Sequence, residues 1–217
     1  MSTAVRPVVT LETRDLGVVD YRAAQELQDD LAVARKAGRG HDTLFLLEHP
    51  HVVTLGRNAS LENVLVPRTE LAQRGVEIHE CGRGGDVTYH GPGQLVGYPV
   101  MLLPEGRRGV KEYVRDLEES LIRALAHFGI DGGRDPGYPG VWVEGAKVAA
   151  LGVRISRWVT THGFALNVTT DLTYYRLITP CGIRDRGVTT MAMLLGEPPD
   201  MSEVKRVVSA SFAEVFG

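Results

Sequence analysis

Glycine crowds into two stretches of this chain, 82–97 and 129–152, within segments that otherwise have strand composition. In all there are 25 glycines in 217 residues, against a usual share of roughly 7%. Spread evenly, such an excess would suggest a linker. Gathered between short apolar runs, it predicts backbone that a ligand or another strand approaches closely. It also narrows the fold. The glycine-broken runs follow one another as consecutive strands with only a few helices between them, so regular βαβα winding is not the pattern. An α+β domain is expected, with mixed, largely antiparallel sheets flanked by helices.

Periodicity supplies the elements. Strands are expected at 8–11, 43–47, 52–55, 76–80, 87–90 and 94–102, then 141–144, a turn at Gly145, and an antiparallel meander of 147–156 and 158–168. Asp20 reads as an N-cap, with Ala24, Leu27, Leu31 and Ala34 forming an apolar stripe that ends near Gly38. Pro67 opens a short helix at 68–73. The clearest helix covers 110–128, where Val110, Tyr113, Val114, Leu117, Leu121, Ala124, Leu125 and Phe128 keep an i, i+3, i+4 rhythm until Gly129. A last helix opens at Asp200-Met201-Ser202-Glu203, akin to a capping box, and buries Val204, Val207, Val208 and Phe212. With no repeat or low-complexity linker, residues 1–217 read as one domain.

Charge and composition exclude several partners. A net charge of −3 and a pI near 6.2 provide no basic field for nucleic acid. No apolar run approaches the roughly 18 residues of a spanning helix. The first residues, Met1-Ser2-Thr3-Ala4-Val5-Arg6-Pro7, lack a signal-peptide core, so a cytoplasmic location is expected. Two cysteines, Cys81 and Cys181, are too few for a disulfide framework or a four-cysteine zinc site. His49 with His51, and His79 with Cys81, stand two apart as strand neighbours could, but neither H-E-x-x-H nor C-x-x-C accompanies them, and no metal is expected.

The glycine loop itself runs Cys81-Gly82-Arg83-Gly84-Gly85-Asp86-Val87-Thr88-Tyr89-His90-Gly91-Pro92-Gly93-Gln94. It leads into strand-like residues, whereas a dinucleotide fingerprint opens a helix. Gly140-Val141-Trp142-Val143-Glu144-Gly145-Ala146-Lys147 falls short of a P-loop, because Ala146 intrudes and no Ser or Thr follows the lysine. A G-x-S-x-G elbow is also missing. In Thr179-Pro180-Cys181-Gly182-Ile183, a proline before and a glycine after would present Cys181 on a rigid turn, as a nucleophile needs; the other reading of either cysteine is a small buried hydrophobe. Lys147, taken alone, has the more ordinary reading of a solvated lysine at a strand edge.

Taken together, four motifs resemble the octanoyltransferase family of lipoate biosynthesis, the lipoyl(octanoyl) transferases. They are Arg83-Gly84-Gly85-Asp86-Val87-Thr88-Tyr89-His90-Gly91-Pro92-Gly93-Gln94-Leu95; Lys147 with Ala150-Leu151-Gly152; His162-Gly163-Phe164-Ala165-Leu166-Asn167; and Pro180-Cys181-Gly182-Ile183 followed by Gly187-Val188-Thr189. Their order and their spread over about 10–215 make the match specific. Ala150 and Thr190 stand where the family often has serine.

The resemblance implies the catalytic domain shared by biotin and lipoate protein ligases, working as a monomer without a cofactor. It implies an acyl-thioester on Cys181 and Lys147 as the activating acid–base. Substrate-binding residues carried over by motif are Arg83, Gly84, Gly85, Asp86, Val87, Thr88, Tyr89 and His90; Ala150, Leu151 and Gly152; and Gly163, Phe164 and Ala165. The implied donor is octanoyl-acyl carrier protein. The implied acceptors are lysines on lipoyl domains of 2-oxoacid dehydrogenases and on the glycine-cleavage H protein. The chemistry suits these residue types, since a thiolate is the nucleophile and a nearby ammonium lowers the thiol pKa. Two other readings stand beside this one: an ATP-dependent lipoate–protein ligase of the same fold, and a non-catalytic module that binds acyl groups or lipoyl domains.

Overall fold

A computed structural model describes residues 11–179 and 186–217. Its main sheet is built on β2 (Asp42–Glu48), β6 (Gln94–Val100) and β9 (Val159–Asn167), antiparallel neighbours buried almost throughout. β1 (Leu11–Val18) lies parallel to β2 at one edge. β8 (Ala146–Ser156) continues the sheet beyond β9, and its first residues also pair with β7 (Val141–Val143) and β10 (Gly187–Val188). A smaller sheet sets β3 (Val52–Leu55) between β4 (Glu77–Glu80) and β5 (Val87–His90).

Alternation along the strands explains the layers. Leu44 and Leu46 of β2 point into a core shared with α3 (Val110–His127) and α5 (Met201–Phe216). Phe45 and Leu47 point the other way, onto Ala24 and Ala32 of α1 (Tyr21–Lys36). Buried on both faces, β2 is apolar at each successive position from Leu44 to Leu47. A third core joins Val53, Val87 and Tyr89 of the small sheet to Leu71 of α2 (Arg68–Gln73) and to Tyr175, Leu177 and Ile178.

Mixed, largely antiparallel pairing with flanking helices agrees with the expected α+β class. The last helix is capped as anticipated, the Asp200 side chain accepting from Glu203 N at 2.9 Å, and it buries the four residues named from its sequence. Three details differ. The first strand runs to Val18 instead of stopping at 11. It is an edge strand whose Glu12, Arg14 and Asp15 face outward, so its composition hides it. Residues 8–10 lie outside the described residues.

In α1 the buried stripe is Tyr21, Ala24, Gln28 and Ala32, whereas Leu27 is 43% exposed. Gln28 goes inward because its Oε1 accepts His162 N at 2.7 Å. That donor lies just past the β6–β9 ladder, which ends at Gly97 and Phe164, at a left-handed His162 (φ 57°). Lastly, Trp158 belongs to a two-residue hairpin turn, not to a strand. Arg157 (φ 49°) and Trp158 (φ 64°) take the left-handed conformation that a primed turn demands, without a glycine to signal it.

α4 (Met191–Leu195) follows β10, and the Thr190 side chain caps it by accepting from Met193 N. Among the described residues no helix is long and apolar enough to cross a membrane.

Candidate active site

The glycine loop before β5 packs on β8. Gly84 N donates to Val153 O at 2.9 Å, which clamps the loop onto that strand. Arg83 is buried beneath it, donating from Nη2 to Thr54 O and Oγ1 at 2.8 Å and from Nη1 to Gly84 O at 3.1 Å. Two glycines make this stacking possible. A Cβ on Gly56 would stand 2.3 Å from Gly85 O, and one on Gly152 would stand 2.9 Å from Arg83 Cδ.

Loop and strands enclose a slot of about 460 Å³, counted to its open mouth. Arg83, Gly85, Thr88 and His90 line it from the loop and β5, Ala150, Leu151 and Gly152 from β8, and Gly163, Phe164 and Ala165 from β9. Thus three stretches far apart in sequence meet at one cavity. The structure divides the loop's remaining residues. On β5 the pleat sends Thr88 and His90 toward the slot and Val87 and Tyr89 into the third core, where Tyr89 OH hydrogen-bonds His51 Nδ1 at 2.7 Å. Gly84 and Asp86 face a second, wider cleft.

Three lining residues were not foreseen: Tyr21, Tyr98 and His162. Tyr21 had only a helix start around it, and Tyr98 only a strand. With His49 they build the polar shell around the slot. His49 Nδ1 is 2.6 Å from Val19 O, which can only accept, so that nitrogen carries the proton and Nε2 accepts from Tyr98 OH at 2.8 Å. Burial holds the imidazoles below their usual range. His49 is lowered to about 4 by burial. His162 is lowered to about 4 by burial and then by Arg83. His90 is lowered to about 3 by burial and then by His49, while its Nδ1 bonds Gln94 Oε1 at 2.7 Å. All three are neutral at pH 7, and the slot presents apolar carbon and uncharged polar groups around one guanidinium.

The second cleft spans about 1110 Å³ including its mouth and shares Gly85, Leu151 and Gly152 with the slot. Lys147 stands in its wall. Nζ donates to Pro139 O at 3.1 Å and sits 4.8 Å from the centre of the Trp142 ring. Val110, at 55% exposure, and Val114 of α3 line the same wall.

Cys181 lies outside the described residues, as do all of 180–185. The chain on either side of that segment is anchored around the clefts. Thr179 N donates to Asn63 O at 2.8 Å, and the Asn63 amide donates to Asp86 Oδ2. On the far side, Arg186 lies over Trp142 and 3.4 Å from Asp135, Val188 is in register with Lys147, and Thr189 N donates to Lys147 O at 3.0 Å. Asn167 ties the motifs together: its Oδ1 accepts from Gln94 Nε2 at 2.9 Å and its Nδ2 donates to Thr189 O at 3.1 Å.

Comparison with known proteins identifies the family. The family model of the lipoyl protein ligase A/B catalytic domain matches residues 20–213. An octanoyltransferase of Solibacter usitatus is 52% identical, over 94% of this chain and 91% of its own. One of Myxococcus xanthus is 51% identical over 95% of this chain, which spans 60% of that longer relative. Among solved structures, a bipartite lipoate protein ligase of Thermoplasma acidophilum superposes with a TM-score of 0.74, covering 95% of this chain and 84% of its own. At 17% identity, that likeness shows the fold alone. The chain therefore belongs to the lipoyl protein ligase A/B catalytic-domain family and, within it, to the octanoyltransferases, acyltransferases of lipoate biosynthesis.

Proposed function

We propose that the enzyme takes an octanoyl group from octanoyl-acyl carrier protein onto Cys181 and passes it to a lysine of a lipoyl domain, with Lys147 moving the protons. Lipoyl domains of 2-oxoacid dehydrogenases and the glycine-cleavage H protein are the acceptors in this reading. One observation carries it. Lys147 stands in the wall of the wide cleft that shares Gly85, Leu151 and Gly152 with the slot, in register with the strand that follows the Cys181 segment.

In the first half-reaction Lys147 Nζ holds, as an ammonium, the proton taken from the Cys181 thiol, and the thiolate attacks the donor's thioester carbonyl. The tetrahedral adduct collapses by breaking the bond to the carrier's sulfur. That sulfur leaves with the proton held by Lys147. In the second, the acceptor's neutral amine attacks the Cys181 thioester and gives a proton to Lys147 as the amide forms. Cys181 departs as a thiolate and regains that proton. The net exchange is one thioester for one amide and one carrier thiol. The backbone N–H of Leu151, on the edge of β8 turned away from β9 like Val153 O, is the donor we assign to the oxyanion. The slot, lined by apolar carbon from Leu151, Phe164 and Ala165, houses the acyl chain, since apolar contact adds roughly 0.8 kcal/mol per buried methylene.

Intact mass after incubation with octanoyl-acyl carrier protein alone tests this reading. One hydroxylamine-labile octanoyl adduct is expected, formed without ATP and lost in Cys181→Ser. An adduct that survives in Cys181→Ser, or one that requires ATP, would overturn it.

A further inference from the structure

Glu118 is a carboxylate in the middle of α3, only 5% exposed, on a helix face otherwise given to Leu117, Leu121 and Leu125. Burying such a group costs several kcal/mol unless its oxygens are satisfied. Both are. Oε2 lies 3.2 Å from Arg134 Nε, and Oε1 accepts Gly140 N at 3.0 Å. That N–H belongs to the same peptide group as Pro139 O, and Pro139 O accepts Lys147 Nζ at 3.1 Å. Carboxylate, peptide and ammonium therefore stand in a row.

The peptide's orientation is specific to this arrangement. Gly140 has φ 138°, and a Cβ there would stand 2.7 Å from Ala149 O and 3.1 Å from Lys147 Cε. A charge-assisted bond to the N–H end of a peptide also strengthens its carbonyl as an acceptor. Arg134 is held in turn by Glu119 at 2.7 Å, so the carboxylate has little freedom to turn away. Among the described residues, other charged and titratable groups around Lys147 are Arg186 on the Trp142 ring, Asp135 paired with it, and Tyr138 and Asp86 on the cleft wall. Glu118 is the one among them that reaches the lysine through a single fixed peptide.

We propose that Glu118 is a positioning residue for Lys147: through the Pro139–Gly140 peptide it fixes where the ammonium sits and so how strongly it acts on Cys181. The proposal rests on the reading of Lys147 as the acid–base partner of that cysteine.

The test is the pH profile of iodoacetamide alkylation at Cys181, read on its peptide by mass spectrometry in the full-length protein. Lys147→Met should raise the midpoint toward that of a free thiol, with roughly tenfold slower alkylation at neutral pH. Glu118→Ala should shift it the same way by at least half as much, and the double variant should shift no further than Lys147→Met alone. If Glu118→Ala does not fold, Glu118→Gln takes its place. Its amide has one acceptor for two donors and should give a smaller shift in the same direction. A folded Glu118 variant with the wild-type profile, where Lys147→Met is shifted, overturns the proposal. An unshifted Lys147→Met overturns the underlying reading of Lys147 instead.

Discussion

Gly152 and Arg83 share a volume that admits only one side chain: a Cβ at 152 would stand 2.9 Å from Arg83 Cδ and 3.3 Å from Gly84 O. The guanidinium cannot retreat easily, because Thr54 holds it from beneath. Gly152→Ala should therefore push the glycine loop off β8 and narrow the passage that joins slot and cleft. A loss of about 1–3 kcal/mol in stability is expected for such overpacking. Acyl-enzyme formation should slow by more than the melting temperature implies. Stopped-flow acylation beside thermal denaturation checks this, and an unchanged acylation rate would contradict it.

Three neutral imidazoles give the fold a pH dependence of definite sign. His49 and His162 are lowered to about 4 and His90 to about 3 from an ordinary value of 6.5. Between those values and 6.5 the unfolded chain binds protons that the folded one refuses. Their contribution is therefore complete above pH 6.5 and falls as pH drops toward 4, by up to about 1.4 kcal/mol per pH unit for each histidine. Urea unfolding from pH 7 to 4.5 should show this slope. His49→Gln should reduce it by close to one proton's worth.

Asp86 holds the turn that receives Thr179. It accepts from Ser60 N at 3.1 Å and from the Asn63 amide, and Asn63 O accepts Thr179 N. Asp86→Ala should loosen the approach to the Cys181 segment and leave the sheets intact. The expected outcome is roughly a tenfold slower acylation, equivalent to about 1.4 kcal/mol, with Asp86→Asn recovering part of it. Equal rates for wild type and Asp86→Ala would rule this out.

Lys147→Arg keeps a cation beside Trp142 but offers no proton near neutral pH. Turnover should fall by two orders of magnitude or more, within the range general acid–base catalysis contributes. The Cys181 alkylation midpoint should move much less than turnover does. Near-normal turnover would exclude proton transfer by this residue.

At the β8–β9 turn, Arg157 is left-handed at φ 49° with no glycine to relieve it. Arg157→Asn should raise stability by about 0.5–1 kcal/mol, since asparagine tolerates that region better. Calorimetry would show it as a higher melting temperature with acylation unchanged.

Much of this was legible in the chain because it rests on short-range rules. The rhythm of Tyr113, Leu117, Leu121 and Leu125 predicts a helix and its buried face, since 3.6-residue periodicity is local. The Asp200 cap and the Glu144–Gly145 turn are local too. Where a distant partner decided, sequence reasoning failed. Gln28 turns inward for an N–H on His162, and Trp158 turns without a turn residue because the β8–β9 register requires it. β10 is two residues long and exists by pairing with Ala146 and Lys147.

The candidate site divides along the same line. Motif resemblance named the stretches and the residue types expected to carry the chemistry, a thiol and an amine, and the sequence by itself determined where glycine would open a passage. Tertiary structure alone decided that Thr88 and His90 face the slot while Val87 and Tyr89 do not, and that Tyr21, Tyr98 and His162 join them. It alone aligned Glu118 with Lys147 through the Pro139–Gly140 peptide. The physical reason is that pleat direction, bulges and buried hydrogen bonds are set by pairing between strands and helices far apart in sequence.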